Sequence, residues 1–142
     1  MSKARDIASA APAPSTVDAT ELGYLDGVTS AIQTQLDGKT PKVTLNPQTA
    51  AYTLVAGDAF KLVTVSDTVS RTVTIPPSVF TAGQIINVQR IGTGAVPFAQ
   101  GDGVTITSTG ATASAPTLRA QYSAASIVCT GSNTFTILGD IS

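Results

Sequence analysis

From residue 43 to the end, apolar and polar positions alternate in short runs broken by turn residues. The runs are YTLV at 52–55, FKLVTV at 60–65, RTVTI at 71–75, QIINVQRI at 84–91, GAVPFA at 94–99, VTITS at 104–108, TLRAQY at 117–122, ASIVCT at 125–130 and NTFTIL at 133–138. A period of two places alternate side chains on opposite faces of a strand. Val73 and Ile75 therefore share one face, as do Ile86 and Val88, while Asn87 and Gln89 take the other. Arg71 falls on the Val73 side and belongs at the strand end. Pro97 lacks an N–H and points to an edge strand or a bulge. The stretches between runs (AGDA, PPSVFTAG, GTG, GDG, GSN) are turn-like, and STGATASAP at 108–116 reads as a flexible loop. About nine strands at this spacing predict a mainly β fold: a single antiparallel β-sandwich or barrel-like domain over 43–142.

Residues 1–42 have a different pattern. APAPST favours extended backbone, and its prolines cannot continue a helix. Residues 1–16 thus form an arm. Asp18 and Glu21 have the D-x-x-E spacing of a capped helix start. Gly27 offers a stop, Ser30 and Gln33 a second start, and Gly38 with Pro41 a final stop. The expected pattern over 18–38 is helix, kink, helix. Its apolar stripe is Leu22, Leu25, Val28, Ile32 and Leu36. Helices this short are marginal alone in water, so the stripe must pack on something, either the β-domain or copies of itself.

Charged residues are 12% of the chain, against roughly 25% in typical soluble domains. The net charge is −1, with no Lys/Arg cluster, which argues against a nucleic-acid partner. No stretch is apolar for long enough to span a membrane, and no signal peptide is expected at the N-terminus. No charged side chain lies between Arg71 and Arg90, or between Arg119 and Asp140. Either Thr, Ser, Asn and Gln solvate these strands, or another surface covers them, a tight oligomer being the simplest cover.

Catalytic chemistry finds little to work with. The chain has no histidine and one cysteine, Cys129, expected to be a buried inert thiol. Ser–His and Cys–His pairs cannot be built, and no zinc-ligand set is present. Glu21 is the only Glu, and Asp58, Asp67, Asp102 and Asp140 lie near predicted turns. GTG and GDG precede no helix and so lack the N-terminus that holds phosphate. No catalytic residue, metal or cofactor is expected. Tyr24, Tyr52 and Tyr122 are possible sugar-stacking residues, whereas Phe60, Phe80, Phe98 and Phe135 read as core.

The segment VDATELGYLDGVTSAIQTQLDGK at 17–39 closely resembles a run, E-L-x-Y-L-D-G-V-T-S-x-I-Q-T-Q-L-x-x-K, of structural proteins in tailed-bacteriophage virions. SKARDIA at the start is similar to the opening of phage fibre-type proteins. YTLVAGDAFKLVTVS, GQIINVQRIGTGAV and NTFTILGDIS are similar to a β-rich domain at the ends of such proteins. The resemblance implies a non-enzymatic, homotrimeric virion component in which Leu22, Leu25, Val28, Ile32 and Leu36 form the oligomer or attachment interface. The single copy of the segment favours a compact capsid decoration (cement) protein bound to the major capsid protein or other virion proteins on the capsid surface. The alternative is a short head or tail fibre that binds host-surface glycans.

Overall fold

The computed structural model describes residues 43–108 and 115–142. The expected arm, the helices of 18–38 and most of the 108–116 loop lie outside the described residues. Ten strands are present among those described: β1 (Leu45–Gln48), β2 (Tyr52–Thr53), β3 (Leu62–Val65), β4 (Val73–Ile75), β5 (Ile85–Arg90), β6 (Val96–Gln100), β7 (Thr105–Ser108), β8 (Thr117–Leu118), β9 (Ala124–Gly131) and β10 (Thr134–Gly139). One 3-10 turn, Ala56–Asp58, occupies the predicted AGDA turn.

The fold is mainly β, but the expected antiparallel arrangement is corrected. One sheet has the order β1-β3-β5-β9-β10-β7 and the other β2-β4-β6-β8. Pairs β1/β3, β3/β5, β2/β4, β4/β6 and β10/β7 are parallel. Only β5/β9, β9/β10 and β6/β8 are antiparallel. The chain therefore winds as a short solenoid. Each coil places one strand in the larger sheet and the next in the smaller sheet, and the following coil stacks beside it.

The second and third coils are in a constant register. Leu62 pairs with Asn87, Val65 with Arg90 and Val73 with Phe98, each 25 positions further along. The turns between strands stack in the same register. Gly94 N–H donates to the Asp67 carbonyl at 2.8 Å. A Cβ on Gly92 would meet Asp67 O at 2.1 Å, and one on Gly94 would meet Val69 O at 2.1 Å. Only glycine permits so close a backbone approach.

β7 keeps the direction of a fourth rung, but the hairpin β9–β10 inserts between it and β5. That hairpin is closed by Ser132–Asn133, with Asn133 at φ 52, as tight β-turns require. β8 is only two residues long, and TLRAQY continues as a turn rather than a strand.

The alternating faces meet as predicted in a core between the sheets. Val63, Val73, Ile75, Ile86, Val88, Leu118, Ile127 and Ile137 are completely buried, and Phe80 meets Phe135 edge-on at 6.2 Å. Each such side chain stabilises the fold by about 1.5–3 kcal/mol. Cys129 is buried among them. Two expectations fail. Phe60 is not core but 62% exposed. Pro97 is on neither an edge nor a bulge, since β6 lies between β4 and β8. Phe98 N–H donates to Pro116 O on the β8 side. Pro97 therefore turns its nitrogen towards β4, one residue before the β4/β6 ladder begins at Val73 and Phe98.

Candidate functional site

Three polar clusters stand out, and each is occupied with its own fold. In the first coil the inward positions of β1 are polar: Asn46 and Gln48 pair with the core residues Val63 and Val65. Beneath them Asp58 is 1% exposed. Its Oδ1 accepts from Asn46 Nδ2 at 2.7 Å, and its Oδ2 accepts from the Tyr52 hydroxyl at 3.0 Å and Val55 N–H at 2.9 Å. Asn46 Nδ2 also lies 3.1 Å from the Tyr52 oxygen, and Gln48 donates to Asn46 Oδ1 at 2.7 Å. Burial pushes the Tyr52 hydroxyl above the usual phenol range; the Asn46 hydrogen bond opposes this and Asp58 adds to it. This network closes the first coil with satisfied polar groups where the apolar core ends.

At the C-terminal side, Arg119 Nε and Nη2 donate to the two Asp140 oxygens at 2.5 and 3.0 Å, and Ser123 Oγ donates to Asp140 at 2.5 Å. The Arg119 and Ser123 hydrogen bonds hold the Asp140 carboxyl below its usual range. Thr117 and Ser142 exchange backbone hydrogen bonds at 3.0 and 2.9 Å, so the chain end covers β8. Between β3 and β4, Asp67 accepts from Val69 N–H at 3.0 Å and Arg71 Nε at 2.7 Å, which lower its pKa. Arg90 donates to the Gly92, Thr93 and Leu118 carbonyls and ties the β5–β6 turn to β8. Among the described residues no cluster of three His, Cys, Asp or Glu is placed to hold a metal, and no enclosed cavity is found.

A fourth feature has no partner among the described residues. On the outer face of the six-stranded sheet, the paired registers align Leu45, Leu62, Asn87, Ser126 and Leu138 in one row across five strands. A flanking row holds Ile85, Val128, Thr136 and Thr107, and another holds Pro47, Thr64, Gln89 and Ala124. No outward position of this sheet carries a charge. Arg90, its only charged strand residue, alternates with Gln89 and reaches over the β5–β6 turn instead. Leu45 is 59% exposed, Leu138 52% and Ile85 37%. The smaller sheet, by contrast, turns out only Thr53, Thr74, Pro97, Ala99 and Thr117.

Two exposed aromatics bracket the larger face. Phe60 N–H donates to the Ile85 carbonyl at one end of β5, and Tyr122 N–H to the Arg90 carbonyl at the other. Both have left-handed backbones, φ 63 and 69. Sequence reasoning saw the charge-free strands but did not assign them to one face, because that assignment needs the pairing of β5 with β9 and of β1 with β3. The predicted interface residues Leu22, Leu25, Val28, Ile32 and Leu36, and Tyr24 with them, lie outside the described residues.

No family model matches the chain, and no match was found among the curated proteins or the solved structures.

Proposed function

We propose that this chain is a non-enzymatic structural protein of a tailed-phage virion: an oligomeric, most simply trimeric, decoration protein that clamps major capsid protein subunits at the head surface. The virion assignment is carried by the segment at 17–39, whose resemblance to virion structural proteins is long and nearly ungapped. The geometry supports assembly as the task. A short solenoid, closed by polar groups at its first coil, carries an uncharged face with exposed Leu45, Ile85 and Leu138. Repetition over many capsid sites would make modest contacts effective, and linking protomers would add avidity. In this reading residues 1–16 and the stripe Leu22, Leu25, Val28, Ile32 and Leu36 contact the shell or the other protomers.

Immunogold labelling of intact virions with antibody to 43–142 tests the location. Label spread over the head is expected, whereas label at the tail or one vertex would overturn the decoration reading. Deleting residues 1–16 should abolish shell binding and leave the oligomer intact; unchanged binding removes the arm from the mechanism.

One observation favours a second reading, a short fibre that binds host glycans. Tyr122 is 65% exposed, with Gln121 beside it and Gln89 donating to its carbonyl at 3.5 Å. An aromatic face flanked by amides suits a sugar ring. Binding of the full chain to host cells that Tyr122→Ala abolishes would favour this reading over decoration.

A further inference from the structure

We infer that the outer face of the six-stranded sheet is a self-association surface, and that its occupant is the same face of a second copy of this chain. The inference rests on the oligomeric part of the reading above and adds a two-fold pairing of copies through the β-domain, separate from the contact by which the stripe at 22–36 would hold a trimer.

Three observations carry it. The first is size. Six strands about 4.8 Å apart, each with about five residues of 3.3 Å rise, make a face of roughly 29 by 17 Å, or about 500 Å². Two such faces remove about 1,000 Å² from water, which reaches the lower bound for a specific interface. The second is charge. A different partner would normally be selected through charge complementarity, and this face offers none, because every described charged residue lies off its outward positions. An identical face is equally flat and equally uncharged, so no charge on either side loses its water on contact. The polar residues within the face are partly paired already, Ser126 Oγ donating to Asn87 Oδ1 at 2.7 Å and Thr107 lying 3.1 Å from Thr136.

The third observation is backbone strain. Phe60 and Tyr122 hold left-handed conformations, which bulky residues rarely adopt, while 62% and 65% of their surface faces solvent. Among the described residues nothing covers either ring. Against a second copy, both rings would be covered at the two ends of β5.

The test uses the full chain. Sedimentation equilibrium of the wild type, Leu45→Glu/Leu138→Glu, and Thr74→Glu on the opposite sheet gives the association constant of each. The two Leu positions are exposed, so their substitution leaves the core untouched, and far-UV circular dichroism checks the fold. The face variant should associate at least about 100-fold more weakly, as expected for charges buried without partners, while Thr74→Glu matches the wild type. As a second measure, Thr64→Cys treated with a bismaleimide spacer should yield covalently linked copies; Thr64 sits on the face, whereas Cys129 is buried.

A wild type that associates while the face variant associates equally well, or Thr64→Cys that does not link, overturns this inference and leaves assembly to residues 17–39. A wild type that stays monomeric at 100-fold the concentration needed for detection overturns both the inference and the oligomeric reading, and assigns the face to a different protein.

Discussion

Replacing Asp58 by Ala tests whether the first coil is held closed by its polar network. The carboxylate is 1% exposed and accepts three hydrogen bonds, from Asn46, Tyr52 and Val55. Its removal leaves the Tyr52 hydroxyl and the Val55 N–H without an acceptor, and leaves Asn46 Nδ2 only the Tyr52 oxygen at 3.1 Å. An unsatisfied buried donor costs about 1–3 kcal/mol. Asn46 and Tyr52 are half-buried and regain water in part, whereas the Val55 N–H sits within the 3-10 turn that Asp58 itself closes. One full penalty and two partial ones give a loss of about 2–4 kcal/mol. For a folded unit of about 100 residues each kcal/mol moves Tm by about 4–8 °C, so a fall of about 15 °C is expected.

Thermal unfolding followed by circular dichroism reads this directly, and urea titration gives the free energy. Asp58→Asn keeps one oxygen acceptor and should lose less than Asp58→Ala. Tyr52→Phe combined with Asp58→Ala should be less damaging than the two single losses added together, since both remove the same contact. A Tm within 2 °C of wild type for Asp58→Ala would refute the argument, and the first coil would then be held by its strand pairing alone.

Three shorter predictions concern stacking, charge and the sheet edge. Gly94→Ala puts a methyl 2.1 Å from the Val69 carbonyl oxygen, whereas in Gly131→Ala the nearest atom is Thr134 Cβ at 3.9 Å. Urea titration should show a loss of at least about 2 kcal/mol for the first and under about 1 for the second. The Asp140 carboxyl is held below its unfolded value by Arg119 and Ser123, so its contribution is fully present above the ordinary carboxylate range and is lost as pH falls through the folded value. The difference in Tm between wild type and Asp140→Asn should therefore shrink as pH drops below about 4, as thermal scans from pH 7 to 2 would show. Pro47→Val restores an N–H at the open edge of β1, and light scattering should show faster aggregation on mild heating than in the wild type.

The alternation of Val73 with Ile75 and of Ile86 with Val88 placed the core correctly, because side-chain direction depends only on a strand's own period. Strand pairing was not legible in the same way. Short runs joined by turn residues look alike whether a turn returns to the neighbouring strand or crosses to the opposite sheet. The crossing lengths also differ. Leu45 to Leu62 spans 17 positions and Leu62 to Asn87 spans 25, so no constant period marks the first coil against the next. The glycines of GTG held a usable signal. Their cause is a backbone approach to Asp67 and Val69, 25 positions earlier, which a reading confined to local turns does not reach. Phe60 was misplaced because its apolar side chain was weighed ahead of the alternation, which sets it on the outward side of Leu62 and Thr64, opposite the buried Val63 and Val65. The charge-free runs were visible in the sequence, but the face they share depends on pairings such as Asn87 with Ser126.

The ends of the coil stack bear on which assembly this fold permits. A solenoid grows into a fibre when its terminal coils offer apolar inward faces and open strand edges to the next copy. Here the first coil turns Asn46, Gln48 and Asp58 inward, all bonded to one another or to Tyr52 and Val55. The hydrogen bonds of Thr44 and Gln48 carbonyls run to β3, which leaves Leu45 and Pro47 facing the open edge, and Pro47 has no N–H to give. On the other side, the smaller sheet ends at β8, whose edge is taken by Ser142 and by the bridge from Leu118 to Ile141. The larger sheet ends at β7, a strand of four residues. End-to-end stacking thus meets polar side chains, a proline and a covered edge. Lateral contact through the outer face meets none of these, and it favours a compact cluster of copies over a filament.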